Sequence, residues 1–149
     1  MTPERIARLR SVLNARQPDL TVITDCVHKQ RNLSAIVRNC DAVGVMKVHA
    51  IVGDEDYREF RGTAMGSHRW VEVEAHTTAE AALSAVKQEN LQVVAANLST
   101  AARDYRSVDY TVPTALVFGA ENSGVSAKVL AQADVEVTIP MVGMVGSLN

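Results

Sequence analysis

Three stretches of this sequence carry the polar and glycine-marked patterns that ligand binding and catalysis use. In the first, Asn32-Leu33-Ser34-Ala35-Ile36-Val37-Arg38, an asparagine opens a helical pattern and an arginine follows six residues on. The free N–H groups of a helix start favour anions, and a guanidinium offers a planar fork of donors that suits phosphate. A capped helix with a surface arginine explains the same residues. In the second, Phe118-Gly119-Ala120-Glu121-Asn122-Ser123-Gly124, glycine directly follows an apolar strand pattern, which lets another group approach the backbone closely. The stretch lacks the Lys-Ser/Thr ending of a phosphate-binding P-loop. It also lacks GxGxxG spacing, because Glu121 holds the place of the second glycine. An ordinary strand-to-helix turn is the alternative reading. The third stretch, Ile139-Pro140-Met141-Val142-Gly143-Met144-Val145-Gly146-Ser147-Leu148-Asn149, is apolar, flexible at two glycines and without helical or strand period. Surface loops are ordinarily polar, so it suits an apolar ligand such as an adenine ring, or a partner chain. A linker into a further helix is the plainer alternative.

These stretches can meet only if the fold gathers them at one end of a sheet. Strand patterns are read at Leu20–Ile23, Lys47–Val52, Trp70–Val73, Leu91–Ala95, Thr114–Phe118 and Val135–Ile139. Helical patterns lie between them. One starts at Asn32, with Leu33, Ile36, Val37, Cys40 and Val43 as its buried stripe and Gly44 as its end. Another starts at a Thr77-x-x-Glu80 capping box with Ala82, Leu83 and Val86 inward, and a short one covers Val125 to Ala131. Residues 53–69 read as irregular and polar. Strands alternating with helices predict an α/β domain from residue 20 to residue 149, with a largely parallel sheet flanked by helices. In such sheets ligands sit beyond the carboxyl ends of the strands. Three of those ends carry unusual sequence: Ala95-Ala96-Asn97-Leu98, Gly119-Ala120-Glu121 and Ile139-Pro140-Met141. Ahead of this domain, Thr2-Pro3-Glu4 starts a helix in which Ile6, Leu9 and Leu13 recur at helical spacing. Residues 1–19 therefore read as a basic helical extension.

Bulk properties narrow the function classes. At 149 residues, with 47% hydrophobic and 21% charged residues, the chain is long enough for one core and too apolar to be disordered. No apolar run reaches the roughly 20 residues of a membrane helix, and no signal peptide is recognisable. Cys26 and Cys40 have neither CxxC spacing nor companions for a zinc site or disulfide framework, so reduced thiols in a cytoplasmic protein without metal are expected. The net charge of −2 is unevenly spread: residues 1–38 carry +4 and residues 39–149 carry −6. Binding to a polyanion depends on a local basic surface. The basic third fits RNA and, equally, a solvated helix face.

Taken together, Asn-x-x-Ala-x-x-Arg, GxExxG after a strand, and Ile-Pro-Met…Ser-Leu-Asn, in this order, resemble the three motifs of the TrmH branch of the SPOUT methyltransferases. The resemblance extends to Arg16-Gln17-Pro18-Asp19-Leu20-Thr21-Val22 and to Asp41-Ala42-Val43-Gly44-Val45, and so to essentially the whole chain. It implies a SPOUT-type trefoil-knot fold, a homodimer, and S-adenosylmethionine (S-adenosyl-L-methionine) as methyl donor. The implied reaction is 2′-O-methylation of a tRNA ribose, guanosine 18 in the D-loop. Arg38, Asn32, Glu121, Ser147 and Asn149 then match the catalytic positions. Ala96, Asn97, Leu98, Gly119, Ile139, Met141, Ser147 and Leu148 match cofactor-binding positions, and Arg8, Arg16, Lys29, Arg31 and Arg38 are the expected RNA contacts.

The sulfonium carries its own electrophilic methyl, so the protein's main task is alignment. Arginine as a literal base costs on the order of 8 kcal/mol near neutral pH, unless burial disfavours its charged form. Arg38 is therefore expected to bind phosphate and stabilise charge on the 2′-oxygen. The family continues past the position of Asn149 with a long helix that threads the knot and builds the dimer interface. The resemblance thus implies a chain cut at the end of its cofactor loop, whose knot, pairing and turnover depend on that helix. Two alternatives are a ribosomal RNA 2′-O-methyltransferase of the same family and an inactive RNA-binding module. A third, an unrelated nucleotide-binding α/β protein, needs a phosphate loop that the sequence lacks.

Overall fold

A computed structural model of the chain describes residues 2–53 and 70–144. The irregular stretch expected at 53–69 lies almost entirely outside the described residues, as do Val145 to Asn149, and with them the expected knot. The first element, α1 (Pro3–Asn14), is capped as its sequence predicts: the Thr2 hydroxyl accepts from the Arg5 amide and proline sits in the first turn. It buries none of its residues, and Ile6 and Leu13 stay exposed. Then follow β1 (Leu20–Asp25), α2 (Gln30–Val43), β2 (Lys47–Ile51), β3 (Glu72–His76), α3 (Ala79–Gln88), β4 (Gln92–Ala96) and β5 (Arg103–Asp104). A 3-10 turn (Tyr105–Ser107), β6 (Thr114–Gly119), α4 (Ala127–Leu130) and β7 (Val135–Thr138) complete the order among the described residues.

The seven strands form one sheet in the order β3-β2-β1-β6-β4-β7-β5, and each described pairing is parallel. Parallel strands covered on both faces are apolar along their length. Accordingly β1 is buried from Thr21 to Asp25 and β2 from Val48 to Ile51. One face carries Ile23, Val93, Ala95, Ala115 and Val117 beneath α3 and α4, through Leu83, Val86 and Val129. The other carries Val22, Val48 and Val71 beneath Leu33, Val37 and Cys40 of α2. Burying an aliphatic side chain of this size is worth about 1.5–3 kcal/mol, so these two clusters hold the layers together. Cys40 is a core residue, 4% exposed, and burial pushes its thiol up to about 11.

Several elements differ locally from the sequence reading. The cap of α3 is Thr78, whose hydroxyl accepts from the Ala81 amide, so the Thr77 capping box does not form. The third strand starts two residues late, at Glu72, after an exposed Trp70 and a buried Val71. The stripe of α2 ends at Cys40; Val43 is exposed. The two-residue β5 has no apolar pattern to announce it.

Candidate functional site

The register puts the three marked strand ends on one edge of the sheet. Asp25 pairs with Gly119, and Ala96 lies opposite both Phe118 and Val137. The ends of β1, β6, β4 and β7 are therefore neighbours. Beyond β6 the Gly119–Gly124 segment closes into a tight loop in which Ala120 and Gly124 exchange backbone hydrogen bonds of 3.1 and 2.8 Å. Both glycines are required. A Cβ on Gly119 would lie 2.0 Å from the Gly124 carbonyl carbon, and Gly124 has φ +66°. The loop is anchored from below by Asp25, whose buried carboxylate accepts from the Ser126 amide at 2.6 Å. Sequence reasoning passed over Asp25; an acid ending an apolar strand was the available signal.

Glu121, at the tip of this loop, is bound by the start of α2. Its carboxylate accepts from the Lys29 ammonium on one oxygen and from the Asn32 amide on the other. These partners, Lys29 first, hold the Glu121 carboxyl below its ordinary value. Asn32 was expected to cap the helix. The helix instead begins at Gln30 after Lys29, with no side-chain cap, so Asn32 lies inside the first turn and its amide donates to Glu121. The first two sequence motifs thus meet through Lys29, Asn32 and Glu121.

Arg38 stands apart from this junction, roughly 9 Å further along α2 at the rise of an α-helix. It is exposed and makes no ion pair among the described residues. It lines an open groove of about 350 Å³ with Ser34, Val37, Asp41, Trp70 and Val71, beside the β3 edge of the sheet. Arg8 and Arg31 are also exposed. Arg16 behaves differently from the expected RNA contact. Its side chain is only 7% exposed and donates to Asp41 at 2.9 Å, to the Trp70 carbonyl at 3.1 Å and to the Val45 carbonyl at 3.3 Å. The segment after α1 is docked by this arginine and by Gln17, which bonds to Val43 and Gly44.

On the expected cofactor side, Ala96 and Asn97 are partly covered, and Leu98 is 81% and Ile139 46% exposed. The Asn97 amide and the Ser99 hydroxyl both donate to Glu136, which lowers its carboxyl. Of the tail, Met141 is partly covered, whereas Val142 and Met144 are fully exposed. Ser147, Leu148 and Asn149 lie outside the described residues. The described tail therefore does not by itself close a pouch, and several strands separate it from Arg38.

A polar cluster away from this edge was also missed. His49 Nδ1 lies 2.9 Å from His76 Nε2, with the rings stacked at 5.2 Å, and Glu74 stands 3.8 Å from each. Lys47 occupies the same carboxylate at 2.6 Å.

Residues 19–149 match the family described as the SpoU rRNA Methylase family. The chain belongs to this family. Over 148 residues it is 49% identical to the tRNA (guanosine(18)-2'-O)-methyltransferase of Thermus thermophilus, covering 99% of this chain and 76% of that protein. The crystal structure of the A. aeolicus TrmH/SpoU tRNA modifying enzyme superposes with a TM-score of 0.80 at 41% identity, over 98% of this chain and 75% of that one. The AdoMet-bound rRNA methyltransferase from Sinorhizobium meliloti gives 0.68 at 26% identity, over 90% and 55%. This SpoU chain thus spans about three quarters of its Thermus and Aquifex relatives and about half of the Sinorhizobium protein. Among its described residues, no helix is long and apolar enough to cross a membrane.

Proposed function

We propose that this SpoU chain is the catalytic unit of a tRNA ribose 2′-O-methyltransferase that takes its methyl group from S-adenosylmethionine and acts on guanosine 18. The observation that carries the reading is the junction of Glu121 with Lys29 and Asn32. It draws the glycine loop at the strand ends against the helix that bears Arg38. Similarity to proteins named for guanosine 18, over nearly the whole chain, supports the position acted on.

The strand ends suit the cofactor chemically. Leu98, Phe118 and Ile139 offer exposed apolar surface there, which fits the adenosine end, and Asn97 supplies a polar amide beside it. When bound, the cofactor supplies an electrophilic methyl group. The chain's own residues then orient the ribose. Arg38 binds the adjoining phosphate and stabilises negative charge as the 2′-oxygen attacks, and Glu121 holds Lys29 and Asn32 in place. In this reading Ser147, Leu148 and Asn149 complete the pocket. Arg8, Arg31 and Arg38 contact the RNA, and residues 1–19, through the exposed α1 (Pro3–Asn14), serve as an extension toward it. A homodimer follows from the same logic: Arg38 and the tail are several strands apart in one chain, and a second copy can bring a tail to Arg38.

Calorimetric titration with S-adenosylmethionine tests the reading. Saturable 1:1 heat is the expected result. Absence of heat, together with retained tRNA binding, would leave an RNA-binding module instead.

A further inference from the structure

The groove beside Arg38 has walls that the reaction itself does not need. Ser34, Val37, Arg38 and Asp41 form one stripe of α2, and Trp70 and Val71 face them. Trp70 is the single tryptophan of the chain, and the residue is 53% exposed although a core lies next to it at Val71. Asp41 is half-exposed, and one of its carboxylate oxygens is held by Arg16 at 2.9 Å. The other oxygen has no partner among the described residues. The Arg16 guanidinium also holds the Trp70 carbonyl at 3.1 Å. One largely covered guanidinium therefore ties the Trp70 backbone to the Asp41 carboxylate. This gives the largely covered Arg16 side chain a use that a surface phosphate contact would not have.

We propose that this groove is a guanine-reading site, in which Trp70 stacks on the base of the acceptor nucleotide and Asp41 accepts hydrogen bonds from its N1–H and 2-amino group. Unpaired bases are recognised by stacking on aromatic rings and by hydrogen bonds along the Watson–Crick edge. A carboxylate is acceptor-only. Of the four bases, guanine alone presents two adjacent donors on that edge. Adenine sets a ring nitrogen acceptor beside its amino group, cytosine does the same, and uracil flanks its single donor with carbonyl acceptors. Each of these points a lone pair at Asp41. The cavity of about 350 Å³ has the size of a nucleoside, and Arg38 on the same stripe meets the phosphate that accompanies it. The inference rests on the proposed RNA methyltransferase reading and adds the residues that choose the base.

Because Trp70 is the only tryptophan, its fluorescence reports the groove directly. The test titrates the protein with guanosine, inosine, adenosine, cytidine and uridine 5′-monophosphates. Guanosine monophosphate is expected to quench with an affinity about tenfold or more above the others, the scale of a hydrogen bond to a charged group. Inosine monophosphate, which lacks only the 2-amino group, should fall in between. Asp41→Asn, which keeps an oxygen for Arg16, should level the nucleotides while still allowing quenching. Equal affinities in the wild-type protein would overturn the proposal without requiring any variant to fold. So would a guanine preference that survives Asp41→Asn. Methyl transfer to tRNA measured in parallel separates the two claims. Transfer that tolerates inosine in place of the acceptor guanosine as well as it does guanosine sinks the groove and spares the function. Absence of transfer sinks the function, while the quenching result still decides the groove.

Discussion

Lowering the pH from 7 to 5 should destabilise this protein chiefly through one buried imidazole. His49 has no exposed surface, bonds to His76 through Nδ1, and leaves its Nε2 without a partner. Burial first, then the positive charges of Lys47 and His76, lower its pKa from 6.5 to about 4, against the opposing pull of Glu74. The imidazole is thus neutral in the folded protein. In the unfolded chain it takes up a proton from about pH 6.5 downward. Over that window the unfolded state binds more protons, so stability falls as pH falls, until the folded imidazole itself protonates near pH 4. For this pair of values the loss between pH 7 and pH 5 is about 2 kcal/mol. His76, also lowered by burial, adds to it with the same sign. Urea unfolding followed by circular dichroism at pH 7, 6 and 5 measures this loss. The control is His49→Gln, which keeps an amide for His76 but does not titrate. The variant should lose about 2 kcal/mol less than wild type across the interval, whatever its stability at pH 7. Parallel wild-type and variant curves would refute the argument and mean that His49 is charged or solvated in the folded state.

Three further outcomes follow from the site. Gly119→Ala places a methyl group against the Gly124 backbone. It should cost about 1–3 kcal/mol as overpacking does and weaken S-adenosylmethionine binding, read by thermal denaturation and calorimetry. Arg16→Ala should lower the urea midpoint, since it removes bonds to Asp41, Trp70 and Val45 worth about 1–3 kcal/mol. An unchanged midpoint with weaker RNA binding would return Arg16 to the surface. Arg38→Lys keeps the charge but loses the fork. Turnover should drop at least about tenfold with S-adenosylmethionine affinity unchanged, and near-normal turnover would show that the fork is not used.

The fold was largely legible because its signals are local. Apolar strands such as Val22-Ile23 and Val93-Val94-Ala95 alternate with amphipathic stretches, and α/β topology follows from that alternation. The glycine loop at the strand ends was legible in outline because glycines after a strand serve a backbone need, realised here by Gly119 against Gly124. What escaped depends on contacts between residues far apart in the chain. Nothing near Glu121 announces that Lys29 and Asn32 hold it, 92 and 89 positions away. Arg16 looked like a surface charge because its local sequence is basic, and only the approach of Asp41 and Trp70, 25 and 54 positions on, makes it a half-buried clamp. His49 was hidden in an apolar strand, since a pattern of burial does not reveal which buried side chain is polar and paired.

The central claim concerns where a methyl group ends up. Incubating the protein with labelled S-adenosylmethionine and a tRNA transcript, then mapping the modified nucleotide by nuclease digestion and mass spectrometry, measures it. The account predicts one methyl group on the ribose 2′-oxygen of guanosine 18 and none on a transcript carrying 2′-deoxyguanosine there. Label on a base, on another nucleotide, or on the deoxy transcript would contradict it.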